Sequence, residues 1–171
     1  AGLTPTEAIA LLLDAGGSIA AMQDDAPAAV DRAMLIAAGA DAIGTAVSLT
    51  VYADYTSRQD ALAMRAALTT ALGVIATAVG TLDAYAGPAA AVGRATLDLK
   101  AALAADINET IGRLPSVVVV ATAAPVDAFV IANDLYGDRP ERIEAGYRSI
   151  VERNRPRHPA QLPAGRIEAL K

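Results

Sequence analysis

The chain has 171 residues, of which 54% are hydrophobic and only 4% aromatic, and 42 are alanine. This length suffices for one domain or two small ones with a buried core. A mean hydropathy of +0.36 and a net charge of −5 exclude a disordered chain. With no cysteine and one histidine, the sequence excludes a disulfide framework and cysteine catalysis, and it argues against a metal centre.

Charge and composition divide the chain in two. Residues 1–137 have a net charge of −8 and residues 138–171 a net charge of +3, and alanine is frequent only up to about Ala124. We therefore predict an alanine-rich helical domain at residues 1–114 and a second domain at residues 115–171. The opening AGLTPTEAIA has neither an initiator Met nor a basic segment, which favours an excised piece of a longer chain.

Helix signals fill the first part of the chain. Thr4, Pro5 and Glu7 form a capping-box pattern, and Gly16-Gly17 is expected to end that short helix. Three longer helices follow from apolar periodicity: one capped by Asp24 or Asp25 and reaching about Tyr52, one capped by Ser57 and reaching Tyr85, and one that follows a break at Gly87-Pro88 and ends near Gly112. Such helices predict an antiparallel bundle or hairpin.

Glycines interrupt these helices at five interior positions: Gly39, Gly44, Gly73, Gly80 and Gly93. Two interpretations stay open, close approach of helices within the chain or between copies, and a codon bias towards Ala and Gly. The uncharged segment 66–82 is shorter than the roughly 20 strongly apolar residues that a spanning helix needs. We expect it to be a buried bundle helix and predict no membrane insertion.

The second part predicts the order β-α-α-β. The run Val117–Val120 is typical of a strand, Pro125 is expected to open a helix from Val126 to Tyr136, and Gly137 is expected to cap it in the left-handed conformation. A second helix is expected from Asp138, with Glu141 completing its capping box, up to Pro156 and Pro159. Leu162–Gly165 predicts a turn, and residues 166–170 an edge strand. The fold class is therefore mainly α with a small α+β module.

Two parts of the sequence resemble known protein families. The β-α-α-β order, with Leu135-Tyr136-Gly137 after the first helix and Leu162-Pro163-Ala164-Gly165 before the last strand, resembles a LysM-type module. Residues 133–138 (NDLYGD) together with residues 151–159 (VERNRPRHP) are similar to the C-terminal end of the phage Mu-like DNA circularisation protein N family. The resemblance covers about the last third of the chain.

This resemblance implies a structural component of a bacteriophage tail or baseplate. Its expected partners are other tail proteins (hub, tube and wedge) and further copies of itself, and its expected location is the virion, with the bacterial host cytoplasm during assembly. The family name and the LysM-like module leave two alternatives open, DNA circularisation or DNA binding, and peptidoglycan binding. The larger N-terminal domain expected of the family has no counterpart in this sequence.

A cluster of basic residues is the candidate partner-binding site: Arg148, Arg153, Arg155, Arg157 and His158. Guanidinium groups pair with carboxylate or phosphate. The acidic chain, with a pI near 4.8, disfavours nucleic acid, so we predict an acidic protein partner or the acidic helical part of another copy; a solvated loop is the alternative. His158 has no orienting carboxylate nearby in sequence and is predicted to make a loop hydrogen bond. We predict no enzyme activity and no cofactor.

Overall fold

A computed structural model describes residues 2–137, 139–158 and 160–171. The helices are α1 (Pro5–Ala21), α2 (Ala29–Ser48), α3 (Arg58–Val79), α4 (Ala86–Ile111), α5 (Ala128–Tyr136) and α6 (Pro140–Asn154), and the strands are β1 (Val117–Thr122) and β2 (Gly165–Leu170). Short 3-10 turns occupy Met22–Asp25, Leu49–Tyr52 and Asp83–Tyr85. The chain is thus mainly helical with a small two-stranded antiparallel sheet, which confirms the fold class at that level.

Two compact units make up the chain. The helical unit comprises Ala1–Tyr55 and Asp60–Arg113, and the β-α-α-β unit comprises Thr56–Gln59 and Leu114–Lys171. The second unit is discontinuous in sequence, because the four residues 56–59 precede the helical segment that separates them from the rest. Each unit has a hydrophobic core of its own.

Glycine brings α1 and α2 into close contact. A Cβ atom added to Gly39 would lie 2.8 Å from the carbonyl oxygen of Gly16, and one added to Gly16 would lie 2.9 Å from Cγ1 of Ile43. Both positions are buried. The two backbones therefore approach more closely than any larger residue permits, which supports the close-approach interpretation for Gly39. Gly44 and Gly93 have nothing within 4 Å of an added Cβ and do not share this role.

Several predicted helix boundaries are wrong, while the first one is confirmed. The side chain of Thr4 accepts from the backbone N–H of Glu7, and Glu7 accepts in return from the backbone of Thr4. Gly16-Gly17 does not end α1, which continues to Ala21, and the close contact with α2 holds Gly16 inside the helix. Asp24 and Asp25 lie in a 3-10 turn instead of capping α2, whose N-cap is Ala28.

The later helices of this unit also differ from the prediction. α3 ends at Val79 instead of Tyr85. Gly87-Pro88 does not break the chain but lies in the first turn of α4, where proline is tolerated because the backbone N–H groups have no partner in the helix. α3 and α4 run antiparallel. The Arg65 guanidinium donates to the side chain of Asn108, and a Cβ added to Gly73 would lie 4.0 Å from Nζ of Lys100.

Small and branched apolar side chains fill the core of the helical unit. The buried ones in α2 to α4 include Ile36, Ile43, Ala46, Ala61, Leu68, Leu72, Ile75, Ala78, Leu103 and Ile107. Two segments, Ala29–Tyr52 and Arg58–Val79, are long and apolar enough to cross a membrane by length and composition, and about a third of each apolar window is buried. Core helices of a protein without a membrane pass the same test.

The β-α-α-β unit packs around a second core. α5, α6 and the sheet enclose Ala128, Ile131, Ala132, Ile150, Leu162, Ile167 and Ala169, all at most 5% exposed. α6 approaches α5 closely at Gly146, where an added Cβ would lie 2.2 Å from the ring of Tyr136. The hydroxyl of Tyr136 donates to the carbonyl of Leu170, while burial raises the pKa of this phenol.

The order β-α-α-β is confirmed, with three local corrections. Asp127 caps α5 by accepting from the backbone of Phe129, and Val126 lies outside the helix in a bridge with Leu162. Gly137 caps α5 in the right-handed, not the left-handed, conformation. The predicted start at Asp138 lies outside the described residues, and the N-cap of α6 is Arg139 without a side-chain hydrogen bond. The predicted role of Pro159 also falls outside the described residues.

Two side-chain amides hold the edges of the sheet. Asn154, at the end of α6, accepts from the backbone N–H of Glu168 at 2.9 Å and donates to its carbonyl at 2.8 Å. Gln59 does the same for Val117, accepting from its N–H at 2.8 Å and donating to its carbonyl at 3.4 Å. Each amide thus takes the place of a residue in a neighbouring strand, one on β2 and one on β1.

Candidate partner-binding surface

Four of the five predicted basic residues are exposed, and one is not. Arg148 lies in α6, Arg155 is the C-cap of α6, and Arg157 and His158 follow in the loop. Arg153 lies in the last turn of α6, and its side chain is only 16% exposed. The structure therefore separates Arg153 from the other four.

Two contacts of Arg153 lie inside the β-α-α-β unit. Its Nη1 donates to Oγ1 of Thr56 at 3.1 Å, and its Nε lies 3.5 Å from Oε2 of Glu168. The guanidinium thus joins the segment 56–59 to β2. These contacts give Arg153 a structural role, and they take its charge away from the surface that a partner would meet.

Arg155 determines where the loop leaves α6. It has a φ of 43° and a ψ of 50°, the left-handed conformation, and its N–H donates to the carbonyl of Val151 at 2.9 Å. A left-handed residue ends a helix in this way, and it is uncommon for a residue other than glycine or asparagine. Pro156 follows and cannot continue the helix. The sequence predicted an ending by proline but not the left-handed arginine.

His158 organises the loop through its Nδ1 atom. The backbone N–H of Ala160 donates to Nδ1 at 3.3 Å, and the N–H of Gln161 donates to the His158 carbonyl at 3.0 Å. The predicted loop hydrogen bond of His158 is confirmed. Because Nδ1 accepts a hydrogen bond, the proton of the neutral imidazole lies on Nε2.

Arg148 is exposed but shares its charge with a neighbour. Its guanidinium forms an ion pair with Glu144 one turn earlier in α6, and both side chains are more than 60% exposed. Such a pair on a solvated helix contributes little to stability. The exposed basic surface is therefore made of Arg155, Arg157 and His158, with Arg148 as a partly neutralised flank. We call these four residues the basic loop surface.

An exposed apolar pair that the sequence did not indicate as a site, Phe129 and Val130, lies on α5. Phe129 is 53% exposed and Val130 is 57% exposed. The Phe129 ring meets the ring of Tyr147 edge to face, with centroids 6.3 Å apart. The signal in the sequence is a pair of large apolar residues in the first turn of a helix of only nine residues.

Potential metal ligands and titratable groups were compared across the residues 2–137, 139–158 and 160–171. Those residues contain no group of three or more His, Cys, Asp or Glu side chains that could hold a metal ion. Burial and the nearby charge of Asp106 raise the pKa of Tyr55, so this phenol stays protonated near neutral pH. Two open depressions of about 270 and 180 Å³ in the helical unit are lined mostly by Ala, Gly, Val and Leu.

No family model matches the sequence, and comparisons with curated proteins and with solved structures find no match either. The resemblance to the DNA circularisation protein N family and to LysM modules therefore stays a prediction from residues 133–138, residues 151–159 and the Leu162–Gly165 turn. A proposal for the function can draw, in addition, on the fold and on the exposure and charge of the basic loop surface.

Proposed function

We propose that this protein is a structural component of a bacteriophage tail or baseplate, without enzymatic activity, and that it works through protein–protein assembly. The observation that carries the proposal is the basic loop surface, which the left-handed turn at the end of α6 presents to solvent. The module is proposed to be LysM-like, in line with its β-α-α-β order and the Leu162–Gly165 turn.

Charge favours an acidic protein as the partner of this surface. The loop with Arg155, Arg157 and His158 belongs to a C-terminal part with a net charge of +3, whereas residues 1–137 carry a net charge of −8. Arginine pairs with carboxylates through two parallel hydrogen bonds. Acidic hub, tube or wedge proteins and the helical unit of another copy all offer such groups. Duplex DNA would meet repulsion from the acidic majority of the chain.

The helical unit supports the same proposal through its exposed apolar side chains. Leu3, Met22, Met34, Val51, Tyr52 and Leu97 are each at least 60% exposed. Scattered apolar residues are normal on a protein surface, but a unit with so many of them gains stability when a neighbour covers them. Assembly into a larger particle would supply that cover.

Quantitative mass spectrometry of purified, DNA-free tails tests whether the chain is a component of the tail. We expect the chain in these tails at a fixed number of copies. Its absence from tails, together with its presence in infected cells, would overturn the structural role and would favour DNA handling.

Charge reversal tests the surface itself. The double variant Arg155→Glu/Arg157→Glu should lose incorporation into tails, whereas the control Arg142→Glu, an exposed arginine of α6 outside the loop, should retain it. Two binding measurements on the wild-type chain address the alternatives, fluorescence anisotropy with linear duplex DNA and co-sedimentation with peptidoglycan. Binding to either one that the double variant abolishes would move the basic loop surface to that function.

A further inference from the structure

We propose that the outer edge of β1 pairs with the same edge of a second copy of this chain, in antiparallel orientation, to form a four-stranded sheet. The order of strands would be β2-β1-β1′-β2′, where the prime marks the second copy. This inference rests on the proposed assembly function for its setting, and it names a surface for the contact between copies.

Backbone pairing shows which groups of β1 face away from β2. Ser116 and Lys171 exchange two hydrogen bonds, at 2.7 and 2.8 Å. In an antiparallel pair, hydrogen-bonded and non-hydrogen-bonded positions alternate, and the register pairs Val117 with Leu170. The N–H and C=O groups of Val118, Val120 and Thr122 therefore point to β2. Those of Val117, Val119 and Ala121 point outward, as the contact of Gln59 with Val117 shows independently.

The outer edge of β2 is covered at Glu168 and at the carbonyl of Leu170. The carbonyl of Leu170 accepts from the Tyr136 hydroxyl, and the N–H and carbonyl of Glu168 are both bonded to Asn154. The strand also places two charged side chains, Arg166 and Glu168, on its exposed face. Charged residues and covered backbone groups are how proteins protect an edge strand from pairing with another chain.

The outer edge of β1 lacks this protection beyond its first residue. Gln59 occupies Val117, but no hydrogen bond within the described ranges reaches the outward backbone groups of Val119 or Ala121. The strand reads VVVVAT, without charge or proline, and Val119 is 45% exposed. β1 has six residues, the usual length of a strand, and an apolar edge with unbonded backbone groups is a template for strand addition.

Symmetry and side-chain size favour a second copy as the occupant. An antiparallel edge is self-complementary about a two-fold axis, and the Gln59 of each copy limits how far the strands can overlap. In the register centred on Val120, Val119 of each copy lies opposite Ala121 of the other copy. All outward N–H and C=O groups of these two residues then form hydrogen bonds, and no charged side chain lies opposite another. A foreign strand would need pockets for its side chains, whereas valine and alanine fit the small side chains of β1 itself.

Backbone hydrogen exchange of the full chain, followed by NMR at low and high protein concentration, tests this proposal. The amides of Val119 and Ala121 should exchange about tenfold more slowly, or slower still, at high concentration, because the pairing protects them only in the dimer. The amides of Val118 and Val120 are bonded to β2 and serve as the internal control, with protection at both concentrations. Light scattering should show a monomer becoming a dimer over the same range.

The variant Val119→Pro removes an outward N–H that β2 does not use. It should stay monomeric at high concentration and retain the protection of Val118 and Val120. If the wild-type amides of Val119 and Ala121 exchange at one rate up to the limit of solubility, the proposal is overturned. A Val119→Pro chain that still dimerises, with intact β1–β2 protection, also overturns it. If that variant does not fold, the concentration dependence of the wild-type exchange rates alone tests the strand pairing. This test is independent of whether the chain is found in tails.

Discussion

The helical unit and the β-α-α-β unit reach order by different means. In the helical unit, small residues let two helices touch through their backbones at Gly16 and Gly39. Among the residues that the structure describes, 12 of the 15 exposed large hydrophobic ones belong to this unit. In the smaller unit, a compact core is surrounded by directional hydrogen bonds from Gln59, Asn154 and Tyr136.

This difference concerns how much each unit depends on neighbours. Side chains as small as alanine bury little area, and burial of apolar area is the main stabilising term, at roughly 25 cal/mol per Å². A helical unit built this way leaves larger side chains outside, where a neighbour can cover them. The β-α-α-β unit covers most of its large side chains itself and leaves charge on its surface. We therefore expect the first unit to respond most to changes of packing and the second to changes of polar contacts.

The largest expected effect is at the contact of α1 with α2. Gly39→Ala should lower the free energy of unfolding by about 1–3 kcal/mol, because the new Cβ would meet the Gly16 carbonyl and force the helices apart. The matched control is Gly44→Ala in the same helix, where nothing lies within 4 Å. It should raise the free energy of unfolding by about 0.5–1 kcal/mol through helix propensity. Urea denaturation measures both, and equal gains for the two variants would contradict the close contact.

Asn154→Ala should have the next largest effect. The substitution removes both hydrogen bonds to Glu168 and the one to the Ile150 carbonyl at 2.7 Å. We expect a loss of about 1–2 kcal/mol in the free energy of unfolding, since water replaces part of these contacts. Hydrogen exchange should show the Glu168 amide losing protection while the amides that pair β1 with β2 keep theirs. Unchanged exchange at Glu168 would show that Asn154 does not hold the edge of β2.

Within the predicted site, Arg153 and Arg155 are expected to have different roles, one in stability and the other in binding. Arg153→Gln should lower the free energy of unfolding by about 1 kcal/mol, because it removes the ion pair with Glu168 and weakens the contact with Thr56. Arg155→Gln keeps a side chain of similar polarity in the left-handed position and should leave stability unchanged. In tails the order should reverse, with incorporation reduced only by Arg155→Gln. Equal stabilities of the two variants would place Arg153 with the surface residues.

The smallest expected effect is the pH dependence at the start of α1. Hydrogen bonds from the backbone and side chain of Thr4 hold the pKa of Glu7 below its usual value. A carboxyl whose pKa is lower in the folded state stabilises the fold above its unfolded pKa and loses that contribution as the pH falls through the folded pKa. The stability of Glu7→Gln relative to the wild type should therefore be lower near neutral pH and converge with it in acid. A constant difference across that range would argue against the capping box in solution.

The sequence predicted much of the local structure because the signals are local. The Thr4–Glu7 capping box, the strand at Val117 and the order β-α-α-β depend on residues a few positions apart. The error at Gly16 has a tertiary cause, since the contact with α2 keeps this glycine inside a helix. The predicted break at Pro88 is wrong because proline ends a helix in its interior but is compatible with its first turn.

The candidate site was only partly predictable for the same reason. Arginine spacing identified the basic segment, but it could not distinguish Arg153 from Arg155, which lie two residues apart. The distinction depends on Thr56, 97 residues earlier in the chain. Asn154 lies in the segment 151–159 that carries the resemblance, but the resemblance does not indicate its contacts with Glu168. Gln59 carries no motif at all, because an amide that bonds a strand edge has the same sequence context as one that faces water.

The discontinuity of the β-α-α-β unit bears on how the protein folds. Gln59 and Val117 are 58 residues apart, and joining the ends of such a loop carries an entropic penalty of about 3–4 kcal/mol by the logarithmic scaling of loop closure. Contacts of long sequence separation slow folding. α5 and α6 can form from neighbouring residues first. The pairing of β1 with β2 joins residues as far apart in sequence as Val117 and Leu170, so the sheet and the attachment of residues 56–59 are both expected to form later. During synthesis, the outward backbone groups of Val117 would lack their contact with Gln59 until residues 56–59 attach.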